Sequence, residues 1–147
     1  MLQYRIQEAD FKIPKEWHDQ SINIFKMPAV EGAGDASFVI SRDSISADIN
    51  FADYVAEQLS GAERQLPGFQ LIQTWDFELN GYPASLADYV WEREGRSLML
   101  RQVFVEHASK ILVTTLTTTS SDLPRHEVAW KKTMHSLTLR SASAESA

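Results

Sequence analysis

The sequence contains no cysteine among its 147 residues. Disulfide bonds, thiolate metal sites, cysteine nucleophiles and a lipidation cysteine are therefore excluded. Long hydrophobic runs are also missing, because no uncharged apolar stretch approaches the roughly 18 to 20 residues that span a bilayer. The first ten residues show no basic segment followed by an apolar one, so no signal peptide is predicted. These absences predict a cytoplasmic protein without stable membrane insertion.

Positive charge is scarce, since 14 Lys and Arg residues face 20 Asp and Glu residues and the formal net charge is −6. The basic residues are scattered rather than striped, so nucleic acid is not a predicted partner. The length and the 44% hydrophobic content are typical of one domain with a real core. We expect a single domain over 1–140 and a small, polar, disordered tail over 141–147.

Catalytic and metal-binding motifs are missing as well. His126-Glu127 begins like a zinc-protease helix, but Trp130 stands where the second histidine is required. His18, His107 and His135 are isolated, and we expect them at the surface or in turns. Neither a nucleophile elbow nor a phosphate-binding loop occurs. The sequence thus predicts no enzyme, no cofactor and no metal site.

The most informative segment that is present is 97–105, Ser-Leu-Met-Leu-Arg-Gln-Val-Phe-Val. It is predicted to be a β-strand that is apolar on both faces, whereas a strand on a one-sided sheet alternates apolar with charged residues. Both sides of the strand must therefore be covered.

The rest of the chain predicts an α+β fold around that strand. Two short strands, 4–6 and 10–13, precede the strands 21–27 and 36–42. A helix over 51–66 follows, with Asn50 as its N-cap. A four-strand meander then occupies 69–119, with Asn80-Gly81 as its clearest hairpin turn, and a helix begins at Asp122. We expect an antiparallel sheet of six to seven strands.

The short turns predict the register, and with it two faces of the sheet. Pairing 27 with 36 sets Ile24 beside Val39 and Ile22 beside Ser41. Asp88 falls opposite Arg101 as a structural ion pair. Face A is predicted to hold Leu71, Trp75, Phe77, Leu79, Tyr82, Leu86, Val90, Met99, Val103, Val105, Leu112 and Leu116. Face B is predicted to hold Ile72, Tyr89, Trp91, Leu98, Leu100, Gln102, Phe104, Ile111 and Val113, with Thr74, Ser85, Ala87, Thr115 and Thr117.

Two helices can shield about one face of such a sheet, and we assign the second helix to the bulkier face A. Each large apolar side chain left in water on face B forgoes roughly 1.5 to 3 kcal/mol. A partner, a ligand or a second copy of the chain should then cover face B. The alternative is that the first helix or the N-terminal strands fold over face B and make it ordinary core.

Several segments together resemble the Eag chaperones, which are effector-associated proteins of bacterial type VI secretion with a fold similar to PsbP. The similarity extends over about residues 4–139, and no single motif in it is diagnostic. The segments on which the similarity rests are 21–25 (SINIF), 37–43 (SFVISRD), 66–69 (LPGF), 89–91 (YVW), 101–105 (RQVFV), Trp130 and Ser136-Leu137.

The resemblance implies a cytoplasmic homodimer without enzymatic activity. Such a protein binds hydrophobic, transmembrane-like segments near the N-terminus of a secreted effector and helps to load the effector onto the secretion spike. Together with the register, it predicts a client-binding surface made of Ile22, Ile24, Val39, Ser41, Gln58, Ala62, Leu66, Leu98, Leu100, Gln102 and Phe104. Among these, Ser41, Gln58 and Gln102 would supply hydrogen bonds.

Two other functions stay open at this point. One is a small-ligand-binding domain or an enzyme of the same fold with an enclosed pocket. The other is a structural dimer in which face B is the whole interface.

Overall fold

The computed structural model describes residues 1–140, and the predicted disordered tail at 141–147 lies outside the described residues. The architecture is α+β, as predicted, with two helices and an antiparallel sheet of six strands. The elements are β1 (Leu2–Arg5), β2 (Asp10–Ile13), β3 (Asn23–Met27), β4 (Ala36–Ser44), α1 (Phe51–Gln65), β5 (Gln70–Leu79), β6 (Tyr82–Arg93), β7 (Arg96–His107), β8 (Lys110–Thr119) and α2 (Leu123–Ser136).

The main sheet has the strand order β3-β4-β8-β7-β6-β5. Two-residue turns connect the four strands of the meander, and the residues in these turns adopt positive φ angles, as Asn80 at 54° and Gly81 at 83° do. Such turns match the twist of the flanking strands and fix their register. Asp88 accordingly pairs with Arg101, and across the longer loop 28–35 Ile24 pairs with Val39, both as predicted.

One part of the predicted register is wrong, because a β-bulge lies between Leu71 and Gln73. Leu71 is opposite Tyr89 and therefore shares face B, not face A. The extra residue is Ile72, which leaves Gln73 opposite Asp88 on face A. A bulge of this kind bends an edge strand, and no turn residue in the sequence announces it.

Helix α2 covers face A. Trp130 and Met134 from this helix are buried against Leu86, Val103 and Leu116 of the sheet. The covered face A is thus the main core, as predicted.

The loop between β3 and β4 is fastened to the start of α2. The amide of Gly34 donates to Asp122 Oδ2 at 3.1 Å, and His126 Nε2 donates to the Gly34 carbonyl oxygen at 2.6 Å. His126 is buried, so the histidine of the zinc-protease-like motif has a structural role.

Helix α1 lies on face B. Asn50 caps it, as predicted, by accepting the Asp53 amide proton at 2.8 Å. Its N-terminal half buries Tyr54 and Val55 against the sheet. After its end, the Glu92 amide donates to the Pro67 carbonyl at 2.8 Å. The helix is therefore held near both ends.

Strands β1 and β2 form a separate two-stranded hairpin. It leaves large apolar side chains in solvent, among them Leu2, Ile6 and Phe11, and Trp17 beyond it is 64% exposed. An isolated two-stranded hairpin is marginally stable, so this segment has apolar surface available for another molecule.

Candidate functional site

Helix α1 divides face B into a covered part and an open part. The covered part consists of Ala87, Phe104, Ile111 and Val113, which α1 buries. The alternative that the first helix folds over face B is therefore correct for this part of the sheet. The open part of face B consists of Ile24, Val39, Leu98, Leu100, Gln102, Thr115 and Thr117, none of which is buried.

The open part is organised in rows that run across the strands. In one row, Val39 lies beside Thr115, and Thr115 lies beside Gln102. In the next row, Leu100 lies beside Thr117. Apolar and neutral polar side chains are therefore mixed across neighbouring strands, and this floor carries no charge.

The C-terminal half of α1 forms a wall beside this floor. A cleft of about 420 Å³ separates the helix from the sheet there. Gln58, Ala62 and Leu66 line it from the wall, and Tyr89 and Gln102 line it from the floor. The structure thus brings helix residues and strand residues of the predicted surface together.

Hydrogen bonding in the floor is only partly satisfied within the chain. Gln102 Nε2 donates to Thr115 Oγ1 at 3.2 Å. Among the described residues, no donor reaches the Gln102 side-chain carbonyl oxygen. This oxygen can therefore accept a hydrogen bond from a bound molecule.

Charged groups occupy the margins of this surface. Tyr54 Oη donates to Asp43 Oδ2 at 2.7 Å, which fastens α1 to β4. Burial of the phenol, and then the neighbouring Asp43, raise the pKa of Tyr54 far above its usual value. On α1, Arg64 pairs with Glu57 at 3.2 Å, and both residues line the cleft.

The structure places most of the predicted client-binding residues at this surface. Ile24 is 72% exposed and Ile22 is 57% exposed. Gln58 is exposed, and the remaining open residues are half-buried: Val39, Ser41, Ala62, Leu66, Leu98, Leu100 and Gln102.

Two of the predicted placements need correction. Phe104 is 1% exposed and meets the ring of Tyr54 edge-on at 6.3 Å, so it supports α1 instead of lining the open part. The ladder between β3 and β4 ends at Asn23 and Ile40, so Ile22 has no paired position beside Ser41. The docking of α1 buries Phe104, and the end of the β3–β4 ladder leaves Ile22 unpaired. Strand register alone predicts neither.

Sequence reasoning left Tyr89, Thr115 and Thr117 out of the surface. Tyr89 is buried, contacts Phe69 in a tilted arrangement with ring centroids 5.0 Å apart, and lines the cleft. Burial raises the pKa of its phenol. The signal that could have found all three is their position beside Leu100 and Gln102 on the same face.

Face A carries an ionic cluster beneath α2. Arg101 donates from Nε to Asp88 Oδ1 at 2.8 Å and from Nη2 to Oδ2 at 3.0 Å. Its Nη1 reaches Glu127 at 3.1 Å, and its guanidinium lies 4.7 Å from the ring centroid of Trp130. Gln73 Nε2 donates to Asp88 Oδ2 at 2.7 Å. Every charge in the cluster has a partner, as buried charges require.

Residues 1–140 contain no candidate metal site and no candidate membrane-spanning helix. Within that range, no three His, Asp or Glu side chains converge in a way that could hold a metal ion. No helix in the same range is both long and apolar enough to cross a membrane.

Known proteins resemble this chain over most of its length. The DcrB family model matches residues 8–136. The protein named Effector EagT6, from Pseudomonas aeruginosa, is 59% identical over 140 residues, which are 95% of this chain and 97% of that protein. None of these names is that of an enzyme.

Solved structures agree with the observed fold. The crystal structure of a Pseudomonas aeruginosa protein of unknown function has a TM-score of 0.86 at 59% identity, over 95% of this chain and 97% of that one. The solution structure of PsbP (CyanoP) from Synechocystis sp. PCC 6803 has a TM-score of 0.52 at 11% identity, over 95% and 92% of the two chains. At that identity the likeness shows the PsbP-like fold alone.

The family match and the similarity to EagT6 extend across both helices and the whole main sheet. The chain therefore belongs to the DcrB family and to the Eag proteins that its sequence resembles.

Proposed function

We propose that the protein is a cytoplasmic chaperone and adaptor without enzymatic activity. It binds a hydrophobic, transmembrane-like segment near the N-terminus of a type VI secretion effector in the open part of face B. The observation that carries this proposal is an uncharged floor of half-buried apolar and hydroxyl or amide side chains beside the wall of α1. The name of the relative EagT6 supports the association with an effector.

The chemistry of the floor suits an apolar helix better than a small polar ligand. Leu98, Leu100 and Val39 offer apolar contact, and Gln102 offers a hydrogen-bond acceptor. Ser, Thr and Gln side chains make comparable contacts between helices inside membranes. A client helix that buries about 1,000 Å² of apolar surface gains about 25 kcal/mol gross, more than the estimated 4 to 15 kcal/mol cost of association.

We further propose that the protein acts as a homodimer and that it reaches the secretion spike through its bound effector. The exposed apolar side chains of the hairpin, Leu2, Ile6 and Phe11, support a contact with a second copy. Sedimentation equilibrium would test the dimer, and a monomer mass at micromolar concentration would rule it out.

The binding proposal is tested by co-expression with a tagged effector N-terminal region. The variant is Ile24→Glu combined with Leu98→Glu, which places two carboxylates in the open part. A matched control is Val128→Glu, because Val128 is 58% exposed on α2 at the other face of the sheet. We expect the double variant to retain at least about tenfold less client, because each carboxylate loses water on burial without gaining a partner.

The control variant should retain the client at the original level. If the double variant is folded by circular dichroism and still retains the client, the open part of face B is not the binding surface. If the control loses the client equally, charge alone explains the effect and the proposal also fails.

The rival function, a small-ligand-binding domain or an enzyme with an enclosed pocket, predicts converging ionisable groups. The floor of the open part has none among the described residues. The structural-dimer alternative predicts that the double variant becomes monomeric, which the sedimentation experiment detects.

A further inference from the structure

A second cavity, of about 570 Å³, lies at one end of the sheet, away from the open part of face B. The strand ends of β4, β7 and β8 line one side of it, and residues 138–140, which follow α2, line the other. Three cationic side chains, Arg42, Lys110 and Arg140, line this cavity together with His107. The chain has a formal net charge of −6, so this cluster is a positive region on a negatively charged protein.

The register places two of these cations, Arg42 and Lys110, on one face. Arg42 is opposite Leu112, and Lys110 is opposite His107. Leu112 packs against the core of face A, and residues two apart on a strand share a face. Arg42 and Lys110 are therefore diagonal neighbours on face A, with Cα atoms roughly 7 to 8 Å apart.

The neighbouring acids point to the opposite face. Asp43 follows Arg42, and its carboxylate accepts the hydrogen bond from Tyr54 Oη on face B. Glu106 precedes His107 and is opposite Ile111, which is buried under α1. The alternation of the strands thus sorts cations and anions onto different faces.

Among the described residues that line the cavity, Asp19 is the single acid. Its carboxylate already accepts hydrogen bonds from Tyr4 Oη and from the amide of Ser21. Within residues 1–140, neither Lys110 nor Arg140 forms an ion pair. The positive charge in this cavity is therefore not neutralised by the described part of the chain.

Arg42 is held in place while part of it remains available. All of its hydrogen bonds in the described chain are donated by Nη1, among them those to Ser21 O at 3.2 Å and to Asn23 Oδ1 at 2.6 Å. Its Nε and Nη2 donors have no described acceptor. A guanidinium fixed in this way can present donors to a phosphate or carboxylate group.

We infer that this cavity binds a small anion that carries phosphate or carboxylate groups, with Arg42 and Lys110 as its main contacts. The site does not depend on the proposed client-binding function, because none of its lining residues belongs to the open part of face B.

The test is a titration of the full chain with sodium pyrophosphate and, separately, with sodium citrate, at constant ionic strength set by sodium chloride. Amide chemical shifts in ¹H–¹⁵N NMR spectra are the readout. We expect saturable shifts at residues 42, 107 and 110–112 with at least one of the two anions. The anion that binds more tightly identifies the preferred group.

The variants Arg42→Gln and Lys110→Gln should each weaken binding by about tenfold, the equivalent of one charge-assisted hydrogen bond. Lys131→Gln is the matched control, because Lys131 is a cation on the exposed side of α2, paired with Glu127. It should change the affinity less than twofold. If Arg42→Gln disturbs folding because it removes the hydrogen bonds of Arg42, the Lys110→Gln variant still tests the site.

Shifts that fail to saturate with both anions would overturn the inference. Equal weakening by Lys110→Gln and Lys131→Gln would also overturn it, because only net charge would then matter.

Discussion

The two faces of the main sheet are closed in different ways. On face A, α2 covers the sheet, and a charged pair, Asp88 with Arg101, is buried beneath it. On face B, α1 covers one part, and the open part contains uncharged polar groups such as Gln102 and Thr115. The same strands, with the same period of two, supply both faces.

The difference teaches which polar groups each environment tolerates. A charge that is buried permanently is stable when an opposite charge and hydrogen bonds accompany it, as for Arg101. A surface that must lose water each time a partner arrives is better made of neutral groups, because an unpaired charge would oppose every binding event. Gln102 and Thr115 satisfy this condition.

The largest expected effect distinguishes the covered part of face B from its open part. Phe104→Ala should lower the free energy of unfolding by about 3 to 5 kcal/mol, because it leaves a cavity under α1. Leu100→Ala, in the half-buried floor, should lower the free energy of unfolding by clearly less. Urea unfolding followed by circular dichroism measures both. Equal losses would mean that α1 does not seal the covered part more tightly than the open part.

A second experiment breaks the charge balance of face A. Asp88→Asn should lower the free energy of unfolding by about 3 kcal/mol, because Arg101 then loses its buried bidentate partner. Lys131→Gln, which removes an exposed partner of Glu127, should cost less than about 1 kcal/mol. A small loss for Asp88→Asn in urea unfolding would show that water or Glu127 replaces the missing carboxylate.

A third experiment loosens α1. Tyr54→Phe removes the hydrogen bond to Asp43 and should cost about 1 kcal/mol at neutral pH. The folded state raises the pKa of Tyr54, so this stabilisation is present below the ordinary tyrosine pKa of about 10 and is lost as the pH rises further. The difference between the two proteins in urea unfolding should therefore shrink above that pH, and a constant difference would contradict the prediction.

The smallest expected effect concerns the exposed end of the face A cluster. Lys131, and then Arg101, hold the pKa of Glu127 below its ordinary value. The resulting stabilisation is present above the ordinary glutamate pKa of about 4.3 and is lost as the pH falls through the lowered pKa. Glu127→Gln should cost less than about 1 kcal/mol at pH 7 and less still at pH 2. Thermal unfolding at both pH values checks this, and an unchanged difference at pH 2 would exclude the ion pairs as its cause.

Much of the fold followed from local signals. Asn80-Gly81 and the other two-residue turns set the meander, and alternation along each strand then assigned Leu98, Leu100 and Gln102 to one face. The helix bounds were recognisable from the Asn50 cap and the Pro67-Gly68 end. The bulge at Ile72 was not predicted. An inserted residue moves the side chains that precede it to the other face of the sheet, but it requires no glycine, proline or other turn residue that would mark it in the sequence.

The site was less accessible to such reasoning. Phe104 was expected in the open part, and the structure buries it under Tyr54. His107 was expected at the surface or in a turn; it directly precedes the Ala108-Ser109 turn, but it is only 8% exposed, against Tyr82 and the carbonyl oxygen of Arg140. Both depend on segments that are distant in sequence, Tyr54 on α1 and Arg140 after α2.

The sequence by itself determined the class of fold and, apart from the bulge in β5 and the end of β3, the strand pairing and the sorting of side chains onto two faces. These features depend on turns and on a period of two, both of which are short-range. Only the tertiary structure decided how much of face B α1 covers and which cations meet beside His107. The sequence pattern of a helix does not specify where on the sheet it docks, and the side-chain packing of the whole domain selects one place.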